Sequence, residues 1–281
     1  MPVLARLFSF PVLLLVASAA GGQELSKVPY VPTPQPVVDE MIKLAKVGAD
    51  DFIIDLGSGD GRMVISAAKQ VKAKGFGVDI DEKLVELSNR NAKAAGVADR
   101  AQFFRRDMFK TDIRKADVLM LYLLPDFMSR LRSKILTEMQ PGARVVAHDY
   151  HMGAWYPDQM ITLTVPEKMA VSGTDKAHLY LWIVPAVVEG GWRLFFDTGG
   201  RTQEMNVVFE QVYQMLSAAA ERDGKPIIIE TPTLRGNDIS FALKLDATRY
   251  QLDGKVVGDK IEGKAAAGKD ILQWRARRMP Q

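Results

Sequence analysis

Apolar positions in the first two thirds of the chain alternate between two rhythms. Residues 37–47 carry Val37, Val38, Met41, Ile42, Leu44 and Ala45 at helical spacing, and Gly48 ends that helix. Short apolar runs then alternate with amphipathic stretches. They predict strands over 52–56, 75–80, 102–105, 118–124 and 144–149, with helices over 62–71, 83–95 and 127–139 between them. Such alternation, with strands apolar on both sides, argues for a parallel sheet covered by helices on both faces. Runs at 160–165 and 178–184 have no predicted helix between them, so an antiparallel pair is expected to close the sheet.

Beyond Pro185 the pattern changes. Short strand-like runs at 192–196, 205–212, 227–230, 239–243, 250–252, 255–257, 260–261 and 271–274 are separated by Asp-Gly, Gly-Asn, Asp-Gly and Gly-Asp turn signals. This predicts an antiparallel meander or small barrel. It carries no visible chemistry, with no histidine after His178 and no acid pair at a useful spacing.

The start of the chain differs again. Arg6 precedes a nearly uninterrupted apolar run over 7–16, and Ala17-Ser18-Ala19 supplies a small-residue cleavage pattern. The run is shorter than the roughly 20 residues a spanning helix needs. A secretory signal over 1–19 and an exported, periplasmic protein are therefore expected, with an uncleaved N-terminal anchor as the alternative. Pro29, Pro32 and Pro34 then force an extended leader. The expected organisation is a signal over 1–19, an α/β domain with its leader over 20–185, and an antiparallel β-rich domain over 186–281.

Composition narrows the function classes. The chain has 281 residues, 47% hydrophobic and 25% charged, with a net charge of +3. The basic cluster Arg275, Arg277 and Arg278 is expected to be a solvated tail; one short patch is a poor footprint for nucleic acid, so none is expected as a partner. Having no cysteine excludes disulfides, cysteine nucleophiles, cysteine-held zinc and a lipoprotein anchor. Oligomeric state is left open.

The candidate chemistry lies in IIDLGSGDGR, residues 53–62. A glycine-rich turn between strand and helix lets a ligand approach bare backbone. The G-x-G-x-G spacing departs from the G-x-G-x-x-G of dinucleotide sites, and Asp60 would oppose a pyrophosphate. A ligand with an ammonium and a sulfonium beside one carboxylate suits Asp55 and Asp60 better, and S-adenosylmethionine is such a ligand. Asp79, ending the second strand, is placed to accept ribose hydroxyls. Asp107, after the third, is placed for the adenine amino group, with Met108 packing on the ring. Each acid alone also reads as a helix cap or a solvated loop residue; three at successive strand ends favour a ligand crevice.

DLGSGDGR, VDID and RRDMF together resemble class I S-adenosylmethionine-dependent methyltransferases. VPYVPTPQPVVDEMIKLAKV, LYLLP and RVVAHDYHMGAW are similar to one branch of them: the mitochondrial protein-lysine methyltransferases of the ATP synthase c-subunit and of adenine nucleotide translocase, with bacterial relatives. The resemblance runs from about Val28 to Pro185. It implies a Rossmann-like methyltransferase sheet, S-adenosyl-L-methionine as cofactor, and a protein lysine near a membrane as acceptor. It also implies that Asp55, Gly57, Ser58 and Gly59 hold the methionyl part, that Tyr30 and Thr33 of the leader close over the cofactor, and that Tyr122 borders the transferred methyl. A core aromatic is the plainer account of Tyr122. No metal is expected, because His148 and His151 would point to opposite faces of a strand. Two rivals stay open: a non-catalytic adenosyl-ligand or partner-binding protein of the cell envelope, and a nicotinamide oxidoreductase.

Overall fold

The structure, a computed structural model, describes residues 30–198 and 200–280; the signal expected over 1–19 lies outside the described residues. The α/β class is borne out. Helix α1 (Gln35–Leu44) precedes strand β1 (Phe52–Leu56), α2 (Arg62–Gln70), β2 (Lys74–Asp79), α3 (Glu82–Ala94), β3 (Ala101–Arg105), β4 (Val118–Leu121), α4 (Pro125–Glu138) and β5 (Arg144–His148). Strands β6 (Gln159–Thr164) and β7 (Lys176–Ile183) complete a seven-stranded sheet ordered β3-β2-β1-β4-β5-β7-β6. The first five strands run parallel, and β7 is antiparallel to both β5 and β6.

The core explains this order. Ile53, Ile54 and Leu56 of β1 are fully buried, and each contributes about 1.5–3 kcal/mol by leaving water. Ile53 faces α1, α2 and α3, whereas Ile54 and Leu56 face α4. After β3 the chain crosses back to place β4 on the other side of β1. That reversal opens a crevice outside the carboxyl ends of β1 and β4, where ligands bind in doubly wound sheets.

Two boundaries differ from expectation. The strand expected over 118–124 stops at Leu121, and α4 begins at Pro125, because proline suits the first helical turn, where no N–H is required. This frees Tyr122 to Leu124 as a loop at the crevice. A 3-10 turn (Pro166–Lys168) and the four-residue α5 (Met169–Ser172) lie between β6 and β7, where no helix was expected.

The rest of the chain forms strands β8 (Gly190–Thr198), β9 (Arg201–Val212), β10 (Met215–Arg222), β11 (Lys225–Ile227), β12 (Ile229–Arg235), β13 (Asp238–Leu245), β14 (Thr248–Val257), β15 (Lys260–Ala267) and β16 (Asp270–Arg278). They make one antiparallel sheet ordered β11-β10-β9-β8-β16-β15-β14-β13-β12. It curls until β10 lies against β12, nearly closing a barrel. Trp192, Phe196, Phe209, Phe241 and Trp274 help to fill its interior. Its β12–β13 turn rests on the chain leaving β7 and the chain leading into β5: Ala186 N–H donates to Gly236 O at 2.8 Å, and a Cβ on Gly236 would lie 2.9 Å from Gly142 Cα. The barrel therefore meets the first sheet at the end opposite the crevice.

The basic cluster is not a tail. Arg275, Arg277 and Arg278 belong to β16, whose pairing with both β8 and β15 holds them in regular structure. The Arg278 guanidinium lies 4.5 Å from the Trp192 ring centre, and its Nε donates to Asp259 at 2.7 Å.

Candidate functional site

A cavity of about 280 Å³ occupies the crevice. Tyr30, Thr33, Asp55, Gly57, Ser58, Gly59, Asp79, Met108 and Tyr122 all line it. Asp107 does not. Its carboxylate accepts the Phe109 N–H at 2.9 Å through one oxygen, and its carbonyl accepts the Thr111 hydroxyl at 2.9 Å.

The glycine loop is shaped by the strand beside it. Gly57 and Ser58 both donate their N–H to Val78 O, at 2.8 and 2.9 Å, which folds the loop against the end of β2. Gly59 donates to Asp79 Oδ2 at 3.0 Å, and Asp81 N–H reaches Asp79 Oδ1 at 3.0 Å. The Asp79 carboxylate is thus aimed by two backbone donors, and each oxygen keeps a lone pair for a ligand hydroxyl. Gly57 and Gly59 have φ of 82° and 54°. A Cβ on Gly57 would lie 2.8 Å from Leu123, and one on Gly59 would lie 2.4 Å from the Tyr30 ring.

The leader crosses the same loop. Arg62 grips Asp60 through Nε and Nη2, while its Nη1 donates to Thr33 O at 2.8 Å. Thr33 is buried, and its Oγ1 lies 3.3 Å from His148 Nδ1. Burial and the nearby Asp60 carboxylate push the Tyr30 phenol up to about 12, so that it stays neutral.

Asp55 is the unusual group. It is 2% exposed and receives no side-chain hydrogen bond from the described residues. Burial, then the charges of Asp79 and Asp60, raise its pKa well above the ordinary value. Ser58 Oγ is likewise buried without a partner. An unmatched buried acid facing the cavity calls for a cation, and an unmatched hydroxyl for a polar ligand atom. S-adenosylmethionine fits these donors and acceptors. Its ammonium would answer Asp55, its carboxylate the Ser58 hydroxyl, and its ribose Asp79. Ile80, Leu84 and Met108 wall the remaining apolar end.

Similarity to known proteins agrees with the site. The profile of the ANTKMT methyltransferase domain matches residues 55–159. A protein-lysine N-methyltransferase of Saccharolobus islandicus (strain REY15A) is 40% identical over 158 residues, 56% of this chain and 94% of that protein. The chain belongs to this methyltransferase family. The ATP synthase c-subunit lysine N-methyltransferase of Xenopus laevis is 32% identical over 133 residues, which span 47% of this chain and 58% of that protein. The crystal structure of an RNA methyltransferase from Salinibacter ruber in complex with S-adenosyl-L-homocysteine is 44% identical. It covers 56% of this chain and 96% of its own, with a TM-score of 0.51. The cofactor of this methyltransferase is accordingly S-adenosylmethionine.

At the other end of the methyltransferase cavity, Leu121 of β4 pairs with Ala147 of β5, which brings Tyr122 beside His148. Their ring centres are 4.2 Å apart, and Tyr122 also stacks on Tyr150 at 6.2 Å and 12°. Burial, then Asp149 and Tyr150, push the Tyr122 phenol up to about 12. It is neutral at physiological pH and unsuited to act as a base. Leu123, Leu124 and Phe127 complete this wall, whereas Pro125 stands outside it. Sequence reasoning missed Tyr150, Ile80 and Arg106, which also line the cavity. Ile80 had a usable signal, as the residue following the strand-end acid; Tyr150 had none.

Proposed function

We propose that this methyltransferase modifies the side-chain amine of a lysine in a protein lying close to a membrane. The observation that carries the reading is the acceptor wall of Tyr122, Tyr150, Leu123, Leu124 and Phe127 in the same cavity as the glycine loop. An apolar, aromatic slot accommodates a four-carbon stem. Desolvation there disfavours the ammonium and frees the amine lone pair. The relatives named as protein-lysine and ATP synthase c-subunit lysine methyltransferases support the same acceptor.

When bound, S-adenosylmethionine supplies a methyl carbon on a sulfonium, and the sulfur leaves neutral as the amine nitrogen forms the new bond. The chain's own groups orient and exclude water, which is where most of the acceleration in such a displacement arises. Tyr122, as the catalytic residue of this reading, accepts a hydrogen bond from the incoming amine and fixes its approach. A Tyr122→Phe variant should lower kcat by about fivefold to tenfold, the worth of one hydrogen bond, and leave cofactor affinity unchanged. The midpoint of the pH–rate profile should not move, since the phenol titrates near 12. A shifted midpoint would mean that Tyr122 is the base. The acceptor itself is tested with labelled cofactor and a membrane extract, the label being located by mass spectrometry. Label on RNA or small molecules, with lysines clean, would overturn the lysine assignment.

Export is part of the same proposal, supported by Arg6, the apolar run over 7–16 and Ala17-Ser18-Ala19. Among the described residues no helix is long and apolar enough to cross a membrane. N-terminal sequencing of protein from the native host should start near Ala20, in a fraction outside the cytoplasm. An intact Met1 in the cytoplasm would refute it.

A further inference from the structure

His148 is fully buried at the end of β5 and stands outside the cavity lining, yet it touches both halves of the site. Its Nδ1 lies 3.3 Å from the Thr33 hydroxyl, on a leader segment 115 residues away in sequence, and its ring packs on Tyr122 at 4.2 Å between centres, tilted by 33°. Asp149 Oδ2 is 3.4 Å from Nε2 but out of line for a hydrogen bond, so Nε2 has no partner. Lys168 Nζ and the His178 N–H hold that carboxylate in place. With an acid on the Nε2 side, the tautomer carrying its proton on Nε2 is favoured, and Nδ1 is then the acceptor for Thr33 Oγ–H.

We propose that His148 is a positioning residue for the cofactor: by accepting the Thr33 hydroxyl at Nδ1, it pins the leader down over the S-adenosylmethionine cavity. Three features of the surroundings fit this role. The Thr33 carbonyl is taken by Arg62, so the residue is held from the loop side by its backbone and from the β5 side by its side chain. Thr33 and Tyr30 bracket the leader segment that lines the cavity, and Tyr30 lies on Gly59. Burial keeps the imidazole neutral, with its pKa lowered to about 4, so no second cation sits behind a site that takes a sulfonium. The contact spans the leader and β5, and so contributes only when both are folded around the cavity.

The test is a double-mutant cycle read as S-adenosylmethionine affinity by calorimetry, with the melting temperature followed in parallel. His148→Phe keeps a flat ring against Tyr122 and removes the acceptor; Thr33→Val removes the donor; His148→Asn keeps a polar atom near the Nδ1 position. Each of the first two should weaken cofactor binding by about threefold to tenfold. The double variant should be no weaker than either single one, because both remove the same bond. His148→Asn should bind as the parent does. His148→Gln fills the same space and places its amide at the Nε2 position, so it should behave like His148→Phe and replaces it if that variant does not fold. Additive losses in the double variant would overturn the proposal. So would a His148→Asn variant as weak as His148→Phe, or melting temperatures that fall while affinities stay unchanged.

Discussion

A Gly59→Val variant is expected to lose S-adenosylmethionine binding by at least about a hundredfold while remaining folded. Two effects add. Gly59 has φ of 54°, a region in which a β-branched residue is strained by roughly 1–2 kcal/mol. The new Cβ would also stand 2.4 Å from the Tyr30 ring, so the leader must lift from the loop. A lifted Tyr30 and a displaced Gly59 N–H, which normally steers Asp79 at 3.0 Å, together remove the methionyl cradle and the ribose acceptor. A combined loss near 3 kcal/mol corresponds to about a hundredfold in affinity. Calorimetric titration with the cofactor, with circular dichroism as the folding control, reads the outcome. Binding at parental strength would remove the glycine loop from the site.

The second large effect concerns Asp55, and its sign follows from burial. The unfolded chain titrates this carboxyl near 3.8, whereas the folded protein holds it protonated to a much higher pH. Above 3.8 the unfolded state therefore binds fewer protons than the folded one, and stability falls as pH rises from about 4 towards the folded value. Asp55→Asn removes that loss. The cofactor-free variant should therefore melt at a higher temperature than the parent at pH 6. Its cofactor affinity should nevertheless drop by about tenfold to a hundredfold, because a charged hydrogen bond to the ligand ammonium is lost. Binding to the parent should release a proton as Asp55 ionises, so its affinity should rise with pH; in the variant both signals should vanish. Calorimetry at pH 6 in buffers of different ionisation enthalpy checks this. A variant that binds as tightly as the parent would move the ammonium elsewhere.

What the sequence revealed was whatever depends on neighbours along the chain. Short runs of four to seven residues located β1 to β5, and three glycines after Leu56 marked the loop. Contacts made by register stayed hidden. Tyr122, His148 and Tyr150 form one stack only because Leu121 pairs with Ala147. Asp107 is hard to read on paper, because a strand-end acid serves a ligand or its own turn equally well; it stands outside the cavity lining, with one oxygen on the Phe109 N–H. Asp253-Gly254 misled for a related reason. Of the four dipeptides read as turns, this one lies inside β14, where Gly254 pairs with Gly263 and Trp274 Nε1 donates to Asp253 O at 2.9 Å. The glycine is there for the close indole, with a Cβ falling 2.6 Å from its ring.

The place of β16 in the barrel bears on how the molecule is made. Among the described residues it comes last in sequence but sits in the middle of its sheet, between β8 and β15, with Trp274 paired to Phe196 on one side. A chain emerging from its N-terminus can build β8 to β11 and β12 to β15 from local hairpins, but those two quartets share no central ladder until β16 arrives. Until then β8 and β15 present bare edges, which are templates for pairing with other chains. Joining them also requires closing the long segment between β8 and β16, a slow step for any sheet. A chain truncated before Asp270 would be left with two half-barrels whose bare edges favour aggregation, so this nine-residue strand is what joins them.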